Sequence, residues 1–162
     1  MIFIIKWFFS TLIFLLLTSS FIEAKEIIGA VERVRLLPVN MVFKARIDTG
    51  AKTTSIDARD IKSFERNGIK WVRFDCVDGN KSKTIEKKIL KIVEIKRHGA
   101  KPQNRYVVQM YVVLANVSRL IEVNLNNREP YEYPVLIGRN FLKDLFIVDV
   151  TKKYRFEPMK VK

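Results

Sequence analysis

Along Met41-Val42-Phe43-Lys44-Ala45-Arg46-Ile47 the apolar residues fall at alternate positions. A period of two is the pattern of a half-buried β-strand. The same reading predicts strands at Ile27–Leu36, Trp71–Cys76, Thr84–Ile95, Tyr106–Ala115, Arg119–Asn124, Val135–Ile137 and Leu145–Val150. Turn signals separate them: Leu37-Pro38, Asn67-Gly68, Asp78-Gly79-Asn80, His98-Gly99 and Asn126-Asn127. Short strands at this spacing predict an all-β barrel or sandwich. Helix is expected only at Asn140–Leu145, little more than one turn, and a further turn at Asp60–Arg66. The chain shows neither an internal repeat nor a low-complexity segment.

Residues 1–24 are patterned differently. Lys6 is the only charge before Glu23, and an apolar stretch from Trp7 to Leu17 runs into Thr18-Ser19-Ser20. This order predicts a signal peptide, with Ala24 before the cut. Ile22 is larger than the small residue usual three positions before cleavage, so a retained N-terminal anchor is the alternative. The apolar run over 2–17 is slightly short for a full span. On either reading residues 25–162 form one domain outside the cytoplasm. In a two-membrane cell that means the periplasm, free or held at the inner membrane.

The chain carries 30 Lys+Arg against 17 Asp+Glu, a net charge of +13. Losing Lys6 and Glu23 with the leader leaves that balance unchanged. The positive residues are dispersed, and an exported chain seldom meets nucleic acid, so nucleic acid is not an expected partner. Anionic membrane or wall polymers suit the charge better, as does a plain solvated surface. The single cysteine, Cys76, excludes an intramolecular disulfide and reads as a buried strand residue. The single histidine, His98, stands in a Lys/Arg-rich turn. A zincin needs two histidines at helical spacing around a glutamate, so no metal site is expected. There is no Gly-rich loop ending Gly-Lys-Ser/Thr, and no cofactor is expected.

The alternating strand at residues 41–47 ends in Asp48-Thr49-Gly50-Ala51-Lys52-Thr53. An acid at a strand end, followed by a small hydroxyl residue and a glycine, is held on a short turn where a working carboxylate can be positioned. Gly50 is expected at positive φ, the backbone freedom a sharp loop needs. Asp-Thr-Gly is also an ordinary turn sequence. A second element far downstream gives it weight: Tyr133-Pro134-Val135-Leu136-Ile137-Gly138-Arg139-Asn140-Phe141-Leu142, an apolar run reaching a glycine and then a short amphipathic stretch.

With these two elements the chain resembles the retropepsin-like aspartic peptidases. It is most similar to a bacterial group that also carries the label ATP-dependent zinc protease, although the residues support neither zinc nor ATP. Trp71 to Phe74, Arg105 to Val108 and Asn127-Arg128-Glu129 add to the likeness, which covers about residues 28–154. The resemblance implies a retropepsin-like closed β-barrel with one short helix. It implies that Asp48 is catalytic, that Thr49 braces the pair of loops, and that Gly50 and Ala51 line the substrate channel. Gly138, Arg139 and Asn140 would support the site. The chain holds one Asp-Thr-Gly, so a second carboxylate has to come from a second copy in a homodimer. The expected substrate is a peptide or protein.

The pattern departs from viral retropepsins after Gly50-Ala51, where those carry acids and this chain has Lys52-Thr53. Arg139 therefore needs another partner, with Glu129, Glu132 and Asp144 as candidates. Lys52 near the cleft would favour acidic substrate residues. Two hairpins, Val77–Lys83 and Lys96–Asn104, are candidates for the flap over the cleft, the second preferred. A peptide-binding or scaffold protein on the same fold, without turnover, is the alternative to an enzyme.

Overall fold

A computed structural model describes residues 25–97 and 100–160. The leader, His98 and Gly99 lie outside the described residues. The strands are β1 (Glu26–Leu37), β2 (Met41–Ile47), β3 (Thr54–Arg66), β4 (Ile69–Asp78), β5 (Lys81–Lys88), β6 (Lys91–Arg97), β7 (Ala100–Leu114), β8 (Val117–Asn126), β9 (Val135–Ile137) and β10 (Phe146–Lys153). One short helix, α1 (Arg139–Leu142), precedes β10.

The strands β1, β2, β9, β3, β8 and β7 pair in that order, and β7 pairs back to β1 across Val34↔Leu114 to Leu37↔Tyr111. That last pairing closes the barrel, which removes the open edges a flat sheet would expose. The alternation read in β2 is realised: Met41, Phe43, Ala45 and Ile47 are buried, and Lys44 and Arg46 exposed. They face a core with Val34, Leu36, Ile56, Met110, Val123, Val135 and Phe141. The Phe141 ring also stacks on Phe146 at 5.9 Å between centroids, tying α1 to β10. The described residues thus form an all-β, retropepsin-like closed barrel with one short helix.

Three expectations are corrected. Asp60–Arg66 is not a turn but the outer half of β3, which runs for 13 residues. Its inner half, Thr54 to Ala58, is buried at every position, so no alternation marked it. A bulge between Arg59 and Lys62, with Asp60 at φ 49, then bends the strand out of the barrel to pair with β4. The run Thr84–Ile95 is two strands. Consecutive amides divide it: Ile89 N–H donates to Lys70 O at 2.9 Å and Leu90 N–H to Val107 O at 2.9 Å. The chain leaves the β3–β4–β5 ribbon there and joins the barrel sheet without a glycine or proline to announce it. The helix begins at Arg139 and ends at Leu142, short of Leu145.

Candidate active site

The loop from Asp48 to Thr53 joins β2 to β3, and β9 lies between those strands. β9 pairs parallel with β2 through Ala45↔Val135 to Ile47↔Ile137 and antiparallel with β3 through Ser55↔Leu136. Asp48 N–H extends the first ladder, donating to Ile137 O at 2.9 Å. The start of the loop is therefore part of the sheet.

Asp48 is half-buried. Its Oδ1 accepts from Gly50 N–H at 2.9 Å and Ala51 N–H at 3.1 Å. Two backbone donors on one carboxylate oxygen fix the side-chain rotamer. Oδ2 takes no part in these bonds. Thr49 and Gly50 are exposed at the loop tip. Gly50 does not have the positive φ expected of it; Gly68 and Gly79 are the glycines with that conformation among the described residues. The position is tight for another reason. A Cβ at Gly50 would stand 3.2 Å from Asp48 Oδ1, against the oxygen that the loop amides hold.

Gly138, Arg139 and Asn140 lock this loop from behind. The first helix amides lack intrahelical acceptors, and here the loop provides them: Arg139 N–H donates to Ala51 O at 2.9 Å and Asn140 N–H to Lys52 O at 3.1 Å. Arg139 Nη1 donates to Thr49 O at 2.9 Å and to Gly50 O at 2.6 Å. Its partners are loop carbonyls, not the expected Glu129, Glu132 or Asp144; Glu129 instead pairs with Arg59 at 2.9 Å. A guanidinium can serve two carbonyls at once, so the missing acid after Ala51 is replaced by the backbone itself.

Thr54 had no role in the sequence reading, yet the site converges on it. Asn140 Oδ1 accepts from Thr54 N–H at 2.9 Å and from Thr54 Oγ1 at 2.9 Å, while Thr54 Oγ1 accepts from Gly138 N–H at 3.2 Å. Asn140 Nδ2 completes the link to β8 by donating to Glu122 O at 2.7 Å. Thr54 is fully buried, so each of these bonds satisfies a group that water cannot reach.

Ala51 and Lys52 open onto a cleft of about 500 Å³, whose walls include Val93 and Ile95 of β6 and Val107 of β7. Ser55, Asn124 and Arg128 line it from the buried side, and Lys91 and Arg105 add charge. Lys91, Val93, Ile95 and Arg105, which border this cleft, flank the flap candidate Lys96–Asn104, whose His98-Gly99 tip lies outside the described residues. The Val77–Lys83 turn borders other clefts, including one of about 630 Å³ at the β3 bulge that contains none of the expected site residues. Ser55 and Asn124 had no role in the sequence reading, and Arg105 belonged to a matched motif without one. Arg128 belonged to a matched motif but had no assigned role.

Among the described residues no three His, Cys, Asp or Glu side chains gather to hold a metal ion. The residues present do not fit a catalytic zinc, whose usual site takes three such ligands.

Comparison with known proteins agrees with this geometry. The profile of the family described as "Retropepsin-like aspartic endopeptidase RimB" matches residues 27–158. A solved structure of a Legionella pneumophila protein of unknown function superposes with a TM-score of 0.71 at 31% identity, covering 82% of this chain and 98% of that one. A probable alpha-L-glutamate ligase of Shewanella pealeana is 32% identical over 116 residues, 69% of this chain and 25% of the ligase. One from Desulfotalea psychrophila is 31% identical over 131 residues, 78% of this chain and 28% of the ligase. The chain thus spans about a quarter of the length of these curated relatives. With the barrel, the Asp48 loop and its Gly138-Arg139-Asn140 lock all in place, the chain belongs to the RimB-like family of retropepsin-like aspartic endopeptidases.

Proposed function

We propose that the protein is an exported aspartic endopeptidase, active as a homodimer with one Asp48 from each chain. The observation that carries this reading is the Asp48 carboxylate, pinned through Oδ1 by the Gly50 and Ala51 amides at 2.9 and 3.1 Å, with Oδ2 outside that pair of bonds. Two such loops meeting on a two-fold axis bring two like carboxylates together. Close carboxylates cannot both ionise, so the pair shares a proton, and its titration belongs to the dyad. The ionised member takes a proton from a bound water, and the protonated member donates to the scissile carbonyl oxygen. The water oxygen adds to the carbonyl carbon, and collapse of that adduct breaks the C–N bond. The exposed Thr49 and Gly50 at the loop tip suit a surface that a second copy covers. The β6–β7 hairpin bordering the cleft suits a cover over the bound peptide. The ligase activity in the relatives' names describes proteins about three times this length and is not assigned to this chain.

Asp48→Asn removes the charge and keeps the shape. Peptide hydrolysis should fall by several orders of magnitude, as when residues act as one unit, with circular dichroism and melting temperature unchanged. Equal turnover by mutant and wild type would remove Asp48 from the chemistry. A wild-type dimer that binds peptide without cleaving it would favour the non-catalytic binder.

A further inference from the structure

Arg128 is placed unusually for an arginine. It keeps 7% of its surface exposed, yet it lines the cleft beside the Asp48 loop. Its Nε donates to Tyr133 O at 3.0 Å, and its guanidinium lies over the Tyr131 ring, 4.7 Å from the centroid. No ion pair or hydrogen bond to its two Nη groups is found among the described residues. The carboxylate nearest in sequence logic is already taken. Asp57 receives Arg59 on Oδ2 at 2.9 and 3.1 Å and on Oδ1 at 3.3 Å, and its Oδ1 accepts the Arg128 backbone N–H at 2.7 Å.

A buried charge without a counter-ion is costly, and folded proteins normally pair it. Here burial pushes the Arg128 guanidinium pKa below its ordinary value, and Arg105 adds to that; Tyr131, Asp57 and Asp48 oppose it. The cation is thus under-compensated. Its surroundings in the cleft lean the same way. Lys52 and Arg105 are cationic, and the one carboxylate in the lining, Glu122, is paired with Lys91 at 2.5 Å. The hydroxyl of Ser55, which lines the same cleft, is buried without a hydrogen-bond partner.

We propose that Arg128 is a specificity-determining residue, whose Nη groups receive a carboxylate of the bound peptide near the scissile bond. The ligand completes the pair that the fold leaves open, and the fork of a guanidinium matches the two carboxylate oxygens. The carboxylate belongs to an acidic side chain or to the peptide's C-terminus. The proposal rests on the peptidase reading only for the nature of the ligand, and binding tests it apart from turnover.

The experiment uses the full chain carrying Asp48→Asn, so that peptides stay intact, with fluorescein-labelled octapeptides read by anisotropy. One peptide is rich in glutamate and the other has glutamine in its place; each is made with a free and an amidated C-terminus. The glutamate peptide, amidated, should bind at least tenfold tighter than its glutamine counterpart if side chains supply the anion. If the terminus supplies it, the free-acid forms should show the preference instead. In either case Arg128→Met should erase the preference, and Arg128→Lys should leave it reduced. Arg128→Lys keeps the charge and stem, and it decides the matter should Arg128→Met fail to fold. Wild-type preference in the folded arginine variants would overturn the proposal, as would the absence of any preference for a carboxylate. Arg128-dependent binding without cleavage by the wild-type chain would sink the peptidase reading alone. Cleavage indifferent to Arg128 would sink this one alone.

Discussion

At the scale of single residues, steric room decides more than conformational freedom does. Gly138 has φ −94° and ψ 178°, which any residue adopts. What it lacks is space: a Cβ would lie 2.8 Å from Thr53 C and 3.0 Å from Ala51 O, both backbone atoms. Gly138→Ala must therefore push the Asp48 loop away from α1. We expect a destabilisation of about 1–3 kcal/mol, the range for overpacking, seen as a lower denaturation midpoint with unchanged slope. A midpoint equal to wild type would show that the loop yields freely. Cys76 is a second residue whose behaviour follows from burial. Loss of solvent pushes its thiol up to about 12, with Asp75 and Asp57 adding to the shift. At pH 8 the thiolate fraction is then on the order of 1 in 10,000. Iodoacetamide should label Cys76 only after denaturation; rapid native labelling would contradict the buried placement.

At the scale of elements, the Asp48 loop is held by three of them. β9 wedges between β2 and β3, α1 gives its first two amides to the loop carbonyls, and Thr54 and Asn140 connect the loop's end to β8. Thr54→Val keeps the shape but strips Gly138 N–H and Asn140 Oδ1 of a buried partner. Asn140→Asp keeps the acceptor for Thr54 and turns the donor to Glu122 O into a second oxygen, so two acceptors face each other. Each buried group left unpaired costs about 1–3 kcal/mol. Both variants should lose stability by that amount, and peptidase activity should fall further than stability does, because the loop carrying Asp48 loosens. Variants as active and stable as wild type would show that β9 alone suffices.

At the scale of the whole molecule, the loop tip and the leader set the remaining expectations. If the proposed dyad takes one Asp48 from each of two chains, hydrolysis should rise with the square of protein concentration while the dimer is scarce, then linearly. Sedimentation should show the matching monomer–dimer equilibrium. Activity per chain that is constant while sedimentation shows only monomer would break the dyad proposal. Two chains anchored through residues 1–24 would meet at high effective concentration, so the excised domain should need more protein to reach the same specific activity if the anchor is retained. Fractionation with mass spectrometry of the mature N-terminus decides between cleavage and anchoring. A cytoplasmic protein still starting at Met1 is incompatible with both.

The elements that run along one exposed barrel face were legible before folding, because there the side-chain period of two coincides with water on one side. β2 and β9 have the bounds that alternation and the apolar run predicted. The Asp48 loop and the Gly138-Arg139-Asn140 segment could be paired across 90 residues because together, in that order, they resemble the two motifs of the retropepsin-like family. β3 was hidden because Thr54 to Ala58 is covered on both faces, so polar and apolar residues are buried alike and leave no period. The break between β5 and β6 was hidden because it is made by where two adjacent amides find acceptors, in strands that only tertiary pairing brings near. Arg139's choice of carbonyls over carboxylates, and Arg128's burial without a counter-ion, are likewise decided by three-dimensional neighbours. A charge in a sequence reads as solvated by default; only the packed structure shows which one has lost its water and gained no partner.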